Sequence, residues 1–195
     1  MSLEPRPPTI LWINGAFGSG KTSLARHLVD RLPDAMLYDP ELAGFLLRIV
    51  VPPADSGDFQ DLPIWRDLAA DIALLLRRHY RRRLVVPMTL ARTEYRQEIL
   101  GRLEGAGERV MHFFLDVSEA ELIRRIEAQV MDPDDPVHDA GVRAWRRGQV
   151  ARCLEARTSL APDTVLLAAD GLSVDELGRR VLQAVAAAET AGPPG

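Results

Sequence analysis

The sequence predicts a doubly wound α/β fold, with about five parallel strands covered by helices on both faces. Three observations carry that expectation. Short β-branched apolar runs alternate with longer stretches of helical periodicity along the chain. These runs are continuously apolar rather than alternating, as parallel strands buried on both faces require. The first of them leads directly into a glycine-rich turn and then into a helical pattern. No internal repeat or interdomain linker interrupts the pattern, so residues 1–195 read as one domain.

The first strand is expected over Thr9 to Asn14, where Ile10, Leu11, Trp12 and Ile13 form an unbroken apolar run, and a helix follows over 20–31. A second strand, Ala35 to Tyr38, precedes a helix over 41–49 whose start is marked by Asp39-Pro40, a capping carboxylate before a proline. A long helix over 62–80 leads to a third strand, Leu84 to Met88. Arg77, Arg78, Arg81, Arg82 and Arg83 gather at that helix's carboxyl end, where dipole complementarity accounts for them without nucleic acid. The helix 93–105, the strand Val110 to Leu115 and the helix 118–130 come next. The stretch Asp132-Pro133-Asp134-Asp135-Pro136 reads as a helix breaker before a helix over about 139–157, and the strand Thr164 to Leu167 and helix 173–188 complete the order. The Pro-rich start, residues 4–8, and the tail from Glu189 to Gly195 are expected to fray.

Composition bounds the function. Hydrophobic residues make up 47% of the chain, enough for a packed core and too many for a disordered one. A domain of this size buries roughly 70% of the surface its unfolded chain exposes. The formal charge of −4 argues against a nucleic-acid partner. Cys153 is the lone cysteine, so no internal disulfide forms, which fits a reducing compartment. No run approaches the roughly 18 apolar residues of a membrane span, and the start lacks an apolar signal core. The expectation is a cytoplasmic protein of unspecified oligomeric state, acting on a small molecule.

Gly15-Ala16-Phe17-Gly18-Ser19-Gly20-Lys21-Thr22 fits the phosphate-loop (Walker A) pattern G-x-x-x-x-G-K-[ST] at every position, between a strand and a helix. Glycines let successive backbone N–H groups turn towards phosphate oxygens, and the following helix adds its unsatisfied N–H groups and positive dipole end. Lys21 is expected to contact the β- and γ-phosphates of ATP, and the Thr22 hydroxyl to ligate Mg²⁺. The histidines are too dispersed for a zinc site.

In open parallel sheets ligands sit beyond the carboxyl ends of the strands. Asp39, at the end of the second strand, is therefore the candidate base that accepts a hydroxyl proton, or a substrate ligand, while also serving as a helix cap. Glu41 is the alternative carboxylate. Arg48 either binds the acceptor or complements the end of its helix. Phe45, Trp65 and Tyr38 either stack on a base or fill the core. Thr89 ends the third strand where many phosphate-loop proteins place a Mg²⁺-binding Asp, and it is counted among the acceptor-side contacts. The metal then falls to Thr22, phosphate and water, with Asp39 assisting.

The runs ILWINGAFGSGKTSLARHL, YDPELAGFLLRIVVP, DFQDLPIW, LVVPMTLARTEY and ARCLEA resemble the tunicamycin-resistance protein family, in register from about Ile10 to Ala187. More distantly the plan is similar to small-molecule kinases such as chloramphenicol phosphotransferase, shikimate kinase and gluconate kinase. The resemblance implies an adenylate-kinase-like P-loop NTPase fold with a mobile lid, here about residues 125–152, and ATP binding. It also implies protection against a nucleoside antibiotic, with phosphorylation of the drug as the family's expected chemistry. By the same similarity Arg125 flanks the adenine and an arginine from the group Arg143, Arg146, Arg147 and Arg152 reaches the phosphates. The family's second lid arginine, four positions after Arg125, is Gln129 here, which leaves Arg152 or Arg146 to replace it. Two alternatives stand beside the antibiotic kinase: an ATP-binding protein that sequesters the drug unmodified, and a housekeeping kinase for a sugar, nucleoside or small acid.

Overall fold

The computed structural model of the protein describes residues 8–130 and 132–191. Its single sheet has five parallel strands, β1 (Ile10–Gly15), β2 (Ala35–Leu37), β3 (Arg83–Pro87), β4 (Val110–Asp116) and β5 (Val165–Ala168), in the spatial order β2-β3-β1-β4-β5. Strand β1 is central. Ile10 lies opposite Leu84 and Val110, and Ile13 opposite Pro87 and Phe113. All its residues are buried because alternate side chains feed two separate cores. Leu11 and Ile13 join Leu24, Leu28, Phe113 and Val181 on one face, while Ile10 and Trp12 join Trp65, Ala69, Leu84 and Ile99 on the other. The unbroken apolar runs of the sequence follow from this two-sided covering.

The helices are α1 (Lys21–Val29), α2 (Glu41–Val50), α3 (Pro63–Tyr80), α4 (Thr93–Gly105), α5 (Glu119–Ala128), α6 (Pro136–Gly148), α7 (Val150–Glu155) and α8 (Val174–Ala191). Helices α1 and α8 pack together on the first core, and α2, α3 and α4 cover the second. None is long and apolar enough to cross a membrane among the described residues.

Three expectations need correction. The helix foreseen over 139–157 starts earlier, at Pro136, because the Asp135 carboxylate accepts from the His138 N–H and proline suits the first turn. It is also two helices, parted at Gln149 between α6 and α7, with a 3-10 turn over Ala156–Ser159 after them. The tail does not fray at Glu189. That residue lies in α8 and its carboxylate accepts from Arg83 at 2.6 Å, while the same guanidinium donates to the Pro8 carbonyl at 2.9 Å. Arg83 thus ties the start of the described chain to its last helix. The remaining residues of the expected frayed ends, 4–7 and 192–195, lie outside the described residues.

A short 3-10 turn, Phe59–Asp61, has no periodic signal in the sequence and proves important. Asp58 caps it by accepting from the Gln60 N–H at 3.0 Å, and Gln60 donates onward to the Thr89 carbonyl at 2.9 Å. The turn lies against α2 at Gly44, where an added Cβ would come within 2.6 Å of the Phe59 ring. Replacing Gly44 with Ala forces Phe59 or α2 to move, an overpacking change that typically costs about 1–3 kcal/mol. A thermal melt of Gly44→Ala should show a lowered Tm. A melt equal to that of the native protein would mean that α2 and the turn are not in close contact.

Candidate active site

The phosphate loop is held in shape from beneath. Asn14, buried at the end of β1, accepts from the Gly15 N–H at 2.7 Å and the Leu90 N–H at 2.9 Å, and donates to the Leu90 carbonyl at 3.1 Å. The Thr89 hydroxyl donates to the Gly15 carbonyl at 2.9 Å. The segment after β3 thereby clamps the loop's first residue from two sides. Gly15 and Gly18 have positive φ, and side chains there would collide, at 2.9 Å with the Ser19 hydroxyl and at 3.0 Å with Ile126. Only glycine suits either place.

Within this loop the Lys21 ammonium is buried and donates to the Ala16 carbonyl at 2.7 Å. Burial pushes its pKa down to about 8, with Arg146 adding to the depression and Glu41, Cys153 and Asp39 opposing it. Beside it the Ser19 hydroxyl is buried without a partner. A buried cation, an unpartnered hydroxyl and glycines turned into positive φ are what phosphate oxygens would satisfy, so the residues present fit a nucleoside triphosphate. Thr22 stands exposed in the first turn of α1. Among the described residues no group of three or more His, Cys, Asp or Glu converges as a metal site. The Thr22 hydroxyl is of a kind that fits Mg²⁺ alongside phosphate oxygens.

A cleft of about 610 Å³ opens next to the loop. Phe17 forms its loop side, Glu41, Phe45 and Arg48 its α2 side, Asp58, Phe59 and Gln60 its floor, and His138, Val142, Trp145 and Arg146 of α6 its cover. The Arg48 guanidinium lies over both the Phe45 and Phe59 rings, at 5.6 and 5.4 Å. Trp145 meets Phe17 edge to face with centroids 5.1 Å apart. Aromatic faces and both signs of charge therefore line one cavity.

The structure brings Lys21, Asp39, Glu41, Phe45, Arg48 and Arg146 to this region. Asp39 is half-buried, and burial raises its carboxyl pKa while the Glu41 N–H, Lys21 and Arg26 pull it down. Its Oδ1 accepts from the Glu41 N–H at 3.0 Å beside the start of α2, and the carboxylate lies near enough to Lys21 to feel its charge. Glu41 is raised likewise by burial and by Asp39, against Lys21, Arg146 and Arg48. Arg125 lies against the loop, donating to the Ser19 carbonyl at 3.2 Å and to Glu121 at 2.7 Å.

The two arginines left open by the sequence part company. Arg146 lies 5.9 Å over the Phe17 ring and donates to the Gln129 side-chain oxygen at 2.7 Å. Gln129, four positions after Arg125, is thus in direct contact with one of the two candidate arginines. Arg152 instead pairs with Asp58, a residue of the cleft lining, at 3.1 Å.

Burial decides between the readings of Trp65 and Tyr38 in favour of the core, and turns Thr89 from the acceptor side. Trp65 is fully buried, its N–H donating to the Pro40 carbonyl at 3.1 Å, so it has no face to offer a substrate. Tyr38 is buried with its hydroxyl on the Ala69 carbonyl at 3.1 Å. Thr89 spends its hydroxyl on Gly15 and supports the loop instead of touching an acceptor. Missed by the sequence reading were Asp58, Phe59, Gln60 and Trp145. Trp145 stands inside the arginine-rich run VRAWRRG, an apolar ring among solvated charges that does mark it.

A family model described as an AAA domain matches residues 10–151. Among solved structures, the tunicamycin resistance protein of Deinococcus radiodurans is similar over 97% of this chain and 100% of its own, with 28% identity and a TM-score of 0.71. A sugar kinase from a Janibacter species is similar over 96% of this chain and 100% of its own, at 19% identity and a TM-score of 0.61. The APS kinase of Mycobacterium tuberculosis, in complex with AMPPNP and APS, is similar over 92% of this chain and 98% of its own, at 21% identity and a TM-score of 0.57. The fold is that of the P-loop kinases. No curated protein matches the chain by sequence.

The buried ammonium has a measurable signature. Its folded pKa lies below the unfolded value of 10.5, so the unfolded chain holds the proton more tightly. The lysine therefore weakens the ligand-free fold most below about pH 8, and the penalty fades as pH rises from about 8 to 10.5. A depression of this size corresponds to about 3 kcal/mol at most. Lys21→Met should melt above the native protein at pH 7, with the gap narrowing above about pH 8 and closing only beyond about pH 10.5, and should not bind ATP by calorimetry. A gap that does not change with pH would contradict the buried charge.

Proposed function

The chain belongs to the AAA domain family, and on that premise we propose that it is an ATP-dependent phosphotransferase that phosphorylates a hydroxyl of a nucleoside antibiotic of the tunicamycin or muraymycin type and so confers resistance. It acts in the cytoplasm, where ATP is supplied. The observation that carries this reading is the meeting of two carboxylates, Asp39 and Glu41, with the Lys21 ammonium beside an aromatic-lined cleft. The likeness to a tunicamycin resistance protein supports the choice of acceptor, and the Phe17, Phe45, Phe59 and Trp145 rings suit a nucleoside base.

ATP with Mg²⁺ supplies the phosphoryl group and neutralises charge on its oxygens. Lys21 and the loop N–H groups hold the phosphates, Ser19 offers its hydroxyl, and Thr22 is the metal's protein ligand. Arg125 borders the nucleotide side of the loop. Asp39 accepts the proton of the acceptor hydroxyl, and its burial raises its proton affinity as that role requires. Glu41 and Arg48 orient the acceptor from α2. Arg146, held by Gln129, contributes positive charge where the transferred group spreads its own. Trp145 and Val142 keep water out. The added phosphate brings a charge of about −1.5 to −2 at pH 7, which spoils binding to a target shaped for a neutral hydroxyl.

A second reading draws on the hydrogen bond between Asp39 and the Glu41 N–H. If capping is the carboxylate's whole task, the protein binds ATP and sequesters the drug unmodified. Mass spectrometry of a tunicamycin and muraymycin panel after incubation with Mg²⁺/ATP separates the two. The kinase reading expects a gain of one phosphate, and expects Asp39→Asn to lower kcat by about 10²- to 10⁴-fold with ATP affinity kept. Drug retained without modification, and protection unaffected by Asp39→Asn, would favour sequestration.

A further inference from the structure

A chain of polar side chains runs from the entry of β5 through β4 to the end of β1. His112 of β4 stands opposite Trp12 of β1, two positions back from Asn14. Its Nε2 lies 3.2 Å from the Asn14 side-chain nitrogen, and its Nδ1 lies 2.9 Å from the hydroxyl of Thr164, the residue before β5.

The direction of each hydrogen bond in this chain is fixed by its neighbours. The Asn14 Oδ1 accepts from two backbone N–H groups, those of Gly15 and Leu90, so the amide oxygen must stand there. The amide nitrogen carries two hydrogens. One goes to the Leu90 carbonyl at 3.1 Å, and the other meets the His112 Nε2. That ring nitrogen must accept, which puts the imidazole proton on Nδ1, from where it is donated to Thr164. Both hydrogens and both lone-pair positions of the Asn14 amide are then in use. Burial pushes the His112 pKa down to about 4, with the Arg96 guanidinium adding to the depression, so the ring is neutral at neutral pH.

We propose that His112 is a positioning residue for the nucleotide loop, acting through Asn14, whose amide it locks in the orientation that holds Gly15 and Leu90. The inference rests on the reading of Gly15–Thr22 as a triphosphate cradle and is independent of the acceptor's identity. Gly15 opens the loop at a φ of 143°, so the peptide joining it to Asn14 sets the course of the N–H groups that follow. Asn14 holds that peptide with its own side chain. Turning the amide over would set its hydrogens against the Gly15 and Leu90 N–H groups and its oxygen against the bare Nε2 of His112. The histidine thus adds a third group that rejects the wrong orientation.

Nitrogen NMR of the native chain with labelled histidine should show His112 protonated on Nδ1 and bare on Nε2 at neutral pH. Calorimetry should find that His112→Leu weakens binding of AMPPNP with Mg²⁺ by about three- to tenfold, the worth of one hydrogen bond. Two readouts separate positioning from packing. His112→Gln, which offers an amide oxygen near the place of Nε2, should recover most of that loss. In an Asn14→Ala background His112→Leu should have no further effect, because its influence passes through the asparagine. Thr164→Val keeps the side-chain shape and should weaken AMPPNP in the same direction by a smaller factor, which serves as the test if His112→Leu does not fold. A His112 proton on Nε2 overturns the proposal, as does an AMPPNP affinity indifferent to His112→Leu and Thr164→Val. So does a Gln as damaging as the Leu, or an undiminished His112→Leu effect in the Asn14→Ala background. A native chain that does not bind AMPPNP overturns the nucleotide reading itself, and this inference with it.

Discussion

The rest of the site follows from one buried positive charge. Lys21 sits at the junction of the central strand and α1, withdrawn from water with a carbonyl as its hydrogen-bonding partner. A lone ammonium in such a place is costly, and the surroundings answer that cost with negative charge at a distance, from Glu41 and Asp39, with no salt bridge to it among the described residues. The arrangement stabilises an anion more than it stabilises the protein. That is the property a triphosphate cradle needs, and it places the most demanding electrostatics at the centre of the sheet, where β1 is paired on both sides.

From that centre the supports run outward. Asn14 and Thr89 fix the first residue of the loop to the segment following β3. Arg96, buried on α4, donates to the Leu90, Ala91 and Ser159 carbonyls, and so joins the same segment to the turn that follows α7. Gln60 reaches the Thr89 carbonyl from the floor of the cleft. Nucleotide loop, acceptor floor and the base of the helical cover therefore share one buried polar framework. Such networks specify geometry more than they add stability, since each member leaves an unsatisfied group behind when removed.

Much of this could be read from the sequence, and for identifiable reasons. The strands were visible because two-sided burial forbids polar residues in them, as in Ile10 to Ile13 and Leu84 to Val86. The phosphate loop was visible because its chemistry needs glycine and lysine at fixed spacing. Sequence reading falters where a residue's role depends on what lies across space. Trp65 and Phe45 have similar composition and helical context, yet one is sealed under α2 and the other half exposed in the cleft. Thr89 stands at the strand end as expected, but its hydroxyl turns to Gly15. The turn at Phe59–Asp61 was hidden because a 3-10 turn of three residues leaves no period to detect. Arg146 and Arg152, alike on paper, are sorted only by Gln129 and Asp58.

The three tryptophans are divided just as sharply. Trp12 and Trp65 lie sealed in the same core beneath the sheet, while Trp145 rests on Phe17 at the mouth of the loop and is 39% exposed. Indole emission responds to local polarity and to neighbouring rings, and Trp145 lines the cleft directly whereas Trp65 meets it only through the Phe59 ring, 5.2 Å away. The chain thus carries its own optical gauge, a half-exposed indole leaning on the phosphate loop at the edge of the cleft.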